Sequence, residues 1–352
     1  MSDDAKLLAK VRSAVTRYVA LPSPHIETAV TLWIAATHAV DVLNTAPRLV
    51  IRSPEKRCGK SRLLDLVTAL ARNPLPTANV SSAVLYRVMG GNNKPTLIID
   101  EADTIWGTKK SAEQNEDLRG LVNAGFERGR PTLRYDAATR KVEKLETFGF
   151  VALAGIGQLP DTITDRAVNF IMRRRKVGER VAPFRSRRDG QPLERLRDQL
   201  AEWVGAHLGE IEETMPDLPV EDRAADVWEP LVIVADLAGG DWPDLAREAA
   251  KAMTKDHNDD DGSTDSLQLL ADIRSIFMKA NEPFIESKVL VMKLRALDDS
   301  PWLESDLTVY KLAARLREYT VKPGHDTTGT RRGYRREHFA DVFERYLDTN
   351  PS

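Results

Sequence analysis

The sequence predicts an α/β fold built on a largely parallel sheet with helices on both faces. Three observations carry this. Short continuous apolar runs, as buried strands read, alternate with helical stretches through the first half of the chain. One such run is followed by Cys58-Gly59-Lys60-Ser61 and then by a helical pattern. Another, Leu97-Ile-Ile-Asp-Glu101, ends abruptly in two carboxylates.

Composition fits an ordinary globular chain. There are 352 residues, 42% hydrophobic and 30% charged, enough to bury a core and to allow two or three domains. A single Cys excludes a disulfide framework and a Cys-rich zinc module. The six His lack Cys partners or a zinc-peptidase spacing. No apolar run reaches the roughly 18 residues of a membrane span. Met1-Ser2-Asp3-Asp4 is acidic and unlike a secretory leader, so the expected location is cytoplasmic. The net charge of −2 gives no global nucleic-acid signature, and any such contact must come from local patches.

Taken in order, Ala5–Leu21 reads as an amphipathic helix broken by Pro22 and Pro24, and Glu27–Leu43 as a second. Strands are expected at 47–53, 96–101, 149–154 and 167–172, with helices at Ser61–Ala71 and Leu118–Phe126. Gly107–Glu116 is polar and reads as a mobile loop. Thr132–Tyr135 and Lys141–Leu145 read as a hairpin. From Pro192 the pattern is helical, at Leu193–Thr214, Ala224–Ala238 and Trp242–Met253. His257–Thr264 is a polar, acidic linker. Beyond it come helical stretches at Leu267–Lys279, Lys288–Leu297 and Thr308–Tyr319, an extended piece at Val321, a basic Gly-rich turn at Gly329–Gly333 and a last helix at His338–Leu347. The expected divisions are an N-terminal helical segment (1–46), a core (47–190), a helical lid (191–256) and a terminal domain resembling a winged helix (264–352).

Gly-Lys-Ser between a strand and a helix is where a phosphate-binding P-loop sits, because the helix N-terminus and loop amides face an anion. Lys60 would reach the β- and γ-phosphates and Ser61 would ligate Mg²⁺. Glu55, Lys56, Arg57, Cys58, Gly59 and Arg62 complete the loop. Pro54 stands where the motif has its first Gly and removes one amide donor. Asp100 would hold Mg²⁺ and Glu101 would polarise the attacking water. No strand is followed by Gly-x-Gly-x-x-Gly, which disfavours a dinucleotide fold. Arg166 stands where many ring-forming ATPases present an arginine to the neighbouring subunit, a resemblance that implies it would stabilise charge on the transferred phosphoryl group. Arg223, at the start of the lid, would contact the γ-phosphate on closure. Ala154-Gly155 offers no polar sensor at the end of its strand.

Residues from about Arg48 to Leu347 resemble the family termed domain of unknown function 3631. The resemblance rests on Ser53–Ser61, Leu97–Ala102, Ala152–Gly157, Leu159–Thr162, Asp165-Arg166 through Arg173-Arg174, Gly178–Phe184, Asp226–Leu231 and Ala238–Pro243. Its members, in actinobacterial, phage and plasmid genomes, look like AAA+ ATPases. The resemblance implies an AAA+-like P-loop core using ATP and Mg²⁺, often beside replication or primase-type modules.

Basic features bear on nucleic acid. Arg173–Arg197 is rich in Arg and could track phosphates or serve the nucleotide site. The hairpin carries Arg140 and Lys141, suited to a phosphate backbone. In the terminal domain Lys311 and Arg315 fall on the candidate recognition helix, and Arg331 and Arg332 on the candidate wing. The expected function is an ATP-hydrolysing AAA+-like protein acting on DNA, a phage- or plasmid-type replicative helicase or helicase-like motor. It would form a homo-oligomer, such as a hexameric ring, with a replication protein as a further partner. A nucleotide-controlled DNA-binding switch in phage–host conflict and a protein-remodelling or loader ATPase are the alternatives.

Overall fold

The computed structural model describes residues 2–347 except 55–56, 78–81, 92, 108, 137–139, 176–177, 298–300, 304, 320, 327–328, 341 and 344–346. The chain divides into two compact units, Met1–His257 and Asn258–Ser352.

The first unit begins with α1 (Asp3–Tyr18) and α2 (Pro24–Thr37). Ser2 caps α1, its hydroxyl accepting from the Ala5 amide, and Asp3 and Asp4 sit favourably in the first turn. Ala5, Leu8, Val11, Val15 and Tyr18 form its buried stripe. Ser23 and Pro24 start α2, which is buried from Thr28 to Thr37. Then come β1 (Arg48–Ser53), α3 (Lys60–Leu70), β2 (Pro74–Thr77), α4 (Ser82–Met89), β3 (Thr96–Ile99), α5 (Ala102–Trp106), α6 (Lys109–Gln114) and α7 (Glu116–Ala124). A separate antiparallel hairpin, β4 (Thr132–Asp136) and β5 (Lys141–Leu145), precedes β6 (Val151–Ile156), α8 (Asp161–Thr164) and β7 (Ala167–Ile171). Helices α9 (Ser186–Ala206), α10 (Leu208–Glu213), α11 (Asp222–Ala238) and α12 (Trp242–Ala280) follow.

The central sheet is parallel, in the order β2-β3-β6-β1-β7. Alternate residues feed two cores. Leu49, Ile51, Ala152 and Ala154 pack with α1, α2, α3, α9 and α11. Val50, Leu97, Ile99, Val151 and Leu153 pack with α4, α5, α7 and α8. Residues between Ala5 and Ala46 share the first of these cores.

Two expectations are corrected. Lys109–Gln114, read as loop, is the helix α6. The acidic stretch 257–264, read as linker, has helical backbone within α12, although the boundary between units falls at its start. Extending an existing helix costs less than nucleating one, which offsets its poor helix formers.

In the second unit, the C-terminal part of α12 is followed by β8 (Phe284–Glu286), α13 (Ser287–Arg295), α14 (Val309–Glu318), β9 (Gly324–His325), β10 (Arg332–Arg335) and a 3-10 turn (Arg336–Phe339). The antiparallel sheet runs β8-β10-β9 around a core containing Leu269, Phe277, Trp302, Leu312 and Tyr334. Gly333 is needed there: a Cβ would lie 2.2 Å from the Ile285 carbonyl oxygen. The strands were expected to stop at Pro192, and β8 was not foreseen. Among the described residues no helix is long and apolar enough to cross a membrane.

Candidate functional site

The carboxyl ends of β1, β3 and β6 meet at one edge of the sheet, with Ser53 opposite Ile156 and Ile99 opposite Leu153. Ligands of open α/β sheets bind at such an edge. After β1 the chain turns through Arg57, at φ +68°, and Gly59, at φ +90°. Glu55 and Lys56 lie outside the described residues. Gly59 is the N-cap of α3 and gives it no side-chain cap, so the first-turn amides point out of the loop without an internal acceptor from that residue. Lys60 Nζ folds back over the loop and donates to Ser53 Oγ. Ser61 is exposed, Arg62 half-buried and Cys58 buried.

Beside this loop, β3 delivers Asp100 and Glu101. Asp100 Oδ1 accepts from the Glu101 amide at 2.8 Å. Glu101 is exposed and adopts φ +57°, a left-handed turn that swings its carboxylate out as α5 begins. Asp103 Oδ1 accepts from the Ile156 amide at 2.9 Å, tying α5 to the end of β6. Asp65, on α3, has its carboxyl pushed up chiefly by burial, with the Asp100 charge adding to the shift. Asp100 is therefore an electrostatic neighbour of α3.

The sequence did not reveal two further features of this edge. A cavity of about 330 Å³ opens beside Cys58 and Gly59, walled by Tyr18, Val19, Phe184 and Arg185. Arg57, Arg62 and Arg175 also line it, making the wall basic. Its two distant wall segments are joined by the Ala182 amide donating to the Arg17 carbonyl at 2.8 Å and by the edge-on Tyr18–Phe184 pair at 5.2 Å. Gln158 is the second feature. Its Oε1 accepts from the buried Arg52, whose Nε donates to Asn169 Oδ1 at 3.0 Å. A polar side chain thus stands just past β6, where Ala154-Gly155 supplied none.

Arg166 and Arg223 lie elsewhere. Arg166 immediately precedes β7, and its carbonyl accepts from the Arg48 amide at the start of β1. That is the opposite edge of the sheet, ~16 Å of strand away from Ser53. Arg166 Nη1 donates to the Thr162 carbonyl at 2.8 Å and lies 3.6 Å from Asp165. Arg223 Nε is 3.7 Å from the same Asp165 oxygen, and its guanidinium lies over the Phe126 ring. The structure thus places Arg223, expected to contact the γ-phosphate on lid closure, beside Asp165 and Phe126 and not beside the Lys60 loop. Thr45 Oγ1, donating to the Asp226 carbonyl at 2.9 Å, pins the first turn of α11 to the far edge.

The DNA-contact candidates divide as well. Arg140, at φ +54°, and Lys141 are exposed on the hairpin. Arg332 is exposed on β10. Lys311 Nζ donates to the carbonyls of Ser305 and Asp306, each at 3.1 Å. The Arg315 guanidinium lies over the Trp302 ring at 5.4 Å. Arg331 pairs with Asp326 at 2.9 Å within its turn.

Comparison with known proteins gives a family. The family described as "Protein of unknown function (DUF3631)" matches residues 171–346, half of the chain. The chain belongs to the DUF3631 family. The match starts at the end of β7 and covers less than the 48–347 expected. It leaves the Ser53–Ser61 loop and the Asp100–Glu101 strand outside. An "Uncharacterized 28.9 kDa protein in xis 5'region" of Saccharopolyspora erythraea is 40% identical over 186 residues, covering 51% of this chain and 70% of that protein. Within this DUF3631 chain, Arg223 and the cavity wall from Val181 to Arg185 fall inside the family match, whereas Lys60 and Asp100 do not.

Proposed function

We propose that this DUF3631 protein is an AAA+-like P-loop ATPase. One observation carries the reading: Lys60 and the uncapped N-terminus of α3 share a sheet edge with Asp100 and Glu101. The residues fit Mg²⁺ and ATP. The α3 amides and Lys60 suit the phosphates, and the basic cavity beside Gly59 suits the rest of a nucleotide. Among the described residues no group of three His, Cys, Asp or Glu could hold a metal by itself. A Mg²⁺ ion would be held by Ser61 and Asp100 with phosphate oxygens. When bound, it supplies charge neutralisation on those oxygens.

Lys60 leaves Ser53 to meet the β- and γ-phosphates. Glu101 orients a water and takes its proton as the oxygen–phosphorus bond forms and the bond to the bridging oxygen breaks. Gln158, steadied by Arg52, supplies a polar contact near the γ-phosphate.

DNA is the proposed macromolecular substrate, for a phage- or plasmid-type helicase or related motor. Exposed Arg140, Lys141 and Arg332 support this, as does the helix–strand–helix–helix–strand–strand order of the second unit, which is that of a winged helix. A protein-remodelling or loader ATPase is the second reading. The internal engagement of Lys311 and Arg315 favours it, because the candidate recognition helix then has fewer cations to offer DNA. Steady-state ATP hydrolysis with and without single-stranded and duplex DNA separates the two, with Lys60→Ala as control. DNA-stimulated, Lys60-dependent hydrolysis supports a motor on DNA. Lys60-dependent hydrolysis indifferent to DNA supports the loader. Hydrolysis undiminished in Lys60→Ala removes the assignment of the loop.

A further inference from the structure

We propose that the groove between α13 and the start of α14 docks an amphipathic helix of a partner protein, one that carries a carboxylate at each end of a two-turn apolar stretch. The inference goes beyond the ATPase reading and does not depend on it.

The groove, of about 530 Å³, is lined by Lys288, Val291, Met292, Arg295, Ala296 and Val309. Its middle is apolar and its ends are cationic. In α13, Ser287, Leu290, Val291 and Leu294 are buried in the second unit. Lys288, Met292 and Arg295, spaced by four and then three residues, share the neighbouring face of the helix. A single surface methionine would need no explanation. Here Met292 is 62% exposed and shares the groove with the exposed Val309, and Tyr310, next in α14, is 85% exposed. Leu303 is 60% exposed, and its carbonyl accepts from the Asp306 amide. Asp306 Oδ1 lies 3.7 Å from Arg295 Nη1, so another exposed apolar residue stands near the Arg295 end. The unbranched Met292 side chain adapts readily to an incoming apolar surface.

Charge selects the occupant. Among the described residues no carboxylate lines the groove, and Lys288 and Arg295 stand two turns of α13 apart, ~10 Å. At 3.7 Å and at the surface, the Arg295–Asp306 pair is weak enough to yield to a partner carboxylate. A helix laid along the groove meets both cations when its own carboxylates are spaced by the same two turns. Bulky apolar side chains between those carboxylates then cover Met292 and Val309. Duplex DNA fits less well, because its phosphates gain nothing from an apolar floor. The first turn of α14 presents Val309 and Tyr310, while Lys311 Nζ is bonded to the Ser305 and Asp306 carbonyls, each at 3.1 Å.

Fluorescence anisotropy of the full-length chain with a labelled synthetic helix tests this. The probe is an alanine-rich peptide with the order Glu-x-x-Leu-Leu-x-x-Glu at its centre. Wild type should bind it ~10-fold more tightly than a scrambled peptide of the same composition. Met292→Ser should weaken binding ~10-fold by removing the apolar floor. Lys288→Glu combined with Arg295→Glu should weaken it by ~10-fold or more, and should in turn take up the peptide whose glutamates are replaced by lysines. If that double variant melts early, Lys288→Gln with Arg295→Gln replaces it and should bind the glutamate and lysine peptides alike. A wild type that does not distinguish the ordered from the scrambled peptide would overturn the inference. So would a double variant that holds the glutamate peptide within about threefold of wild type. A wild type that self-associates where Met292→Ser does not would also overturn it, since the groove would then hold a second copy of this chain. Binding is read without nucleotide, so absent ATP hydrolysis would remove the ATPase reading and leave this one standing.

Discussion

Replacing Arg48 with Met should destabilise the first unit by about 3–5 kcal/mol. The side chain is 1% exposed at the start of β1. Nε and Nη2 both donate to the Val122 carbonyl, at 3.1 and 2.7 Å. Nη1 donates to Ala46 at 2.5 Å and to Gly149 at 2.7 Å. Burial, then the charge of Arg166, push the guanidinium well below its ordinary value, down to about 9, which corresponds to roughly 5 kcal/mol against the buried charge. Four bonds from a charged donor, at about 1.5 kcal/mol or more each, offset a cost of that size. The native side chain is therefore close to neutral in sum. Methionine removes both effects and leaves the carbonyls of Ala46, Val122 and Gly149 without these donors, at about 1–3 kcal/mol each, partly recovered by packing against Phe126. Urea unfolding followed by circular dichroism measures the difference at constant m-value. A loss below about 1 kcal/mol would refute the reasoning, since it would mean that the three carbonyls find other donors.

The His38 imidazole is pushed down to about 4, chiefly by burial, although it is bonded through Nε2 to the Leu70 carbonyl at 2.9 Å. The unfolded chain takes up this proton first, so stability is full above about pH 6.5 and falls by about 3 kcal/mol as pH drops to about 4. Urea midpoints at pH 7 and 4.5 should show this slope in wild type and lose it in His38→Gln. A slope unchanged by the substitution would assign the acid sensitivity to other groups. Gly59→Ala meets only Met172 at 3.5 Å and Val19 at 3.9 Å, so its cost is the φ of +90°, about 1–2 kcal/mol. Thermal melts should drop modestly, and, on the proposed ATPase reading, Mg-ATP should raise the melting temperature less than it raises that of wild type. An unchanged nucleotide-induced shift would show that the loop tolerates a different backbone there.

Local signals were legible in the sequence and non-local ones were not. The apolar periods of α1 and α2 were legible, although the helices start at Asp3 and Pro24, two and three residues before the expected Ala5 and Glu27. The apolar runs of β1, β3, β6 and β7 were visible because a strand buried on both faces needs no partner to look apolar. Strand β2 was hidden by Pro74 and Pro76, which are tolerated because it lies at the sheet edge and pairs with β3 alone. Helix α6, Lys-Lys-Ser-Ala-Glu-Gln, has no apolar period to read. The Gly-Lys-Ser stretch was visible because its residues are consecutive in the chain. The cavity wall was not, since Val19 and Phe184 meet only through tertiary packing.

Strand direction decides more of the site than motif spacing does. In a parallel sheet every residue that follows a strand lies at one edge and every residue that precedes one lies at the other. Lys60 and Asp100 follow β1 and β3, and Arg166 precedes β7, so their separation is a consequence of topology that no side-chain rearrangement within one chain can undo. Strand β1 has one end in each place: Ser53 meets Lys60, while the Arg48 amide holds the Arg166 carbonyl at 2.9 Å and its side chain fastens α7 and the approach to β6. The Arg166 carbonyl and the Lys60 side chain are thus held at opposite ends of one six-residue strand, every residue of it buried. A close-packed strand of this kind keeps the spacing between the two edges fixed.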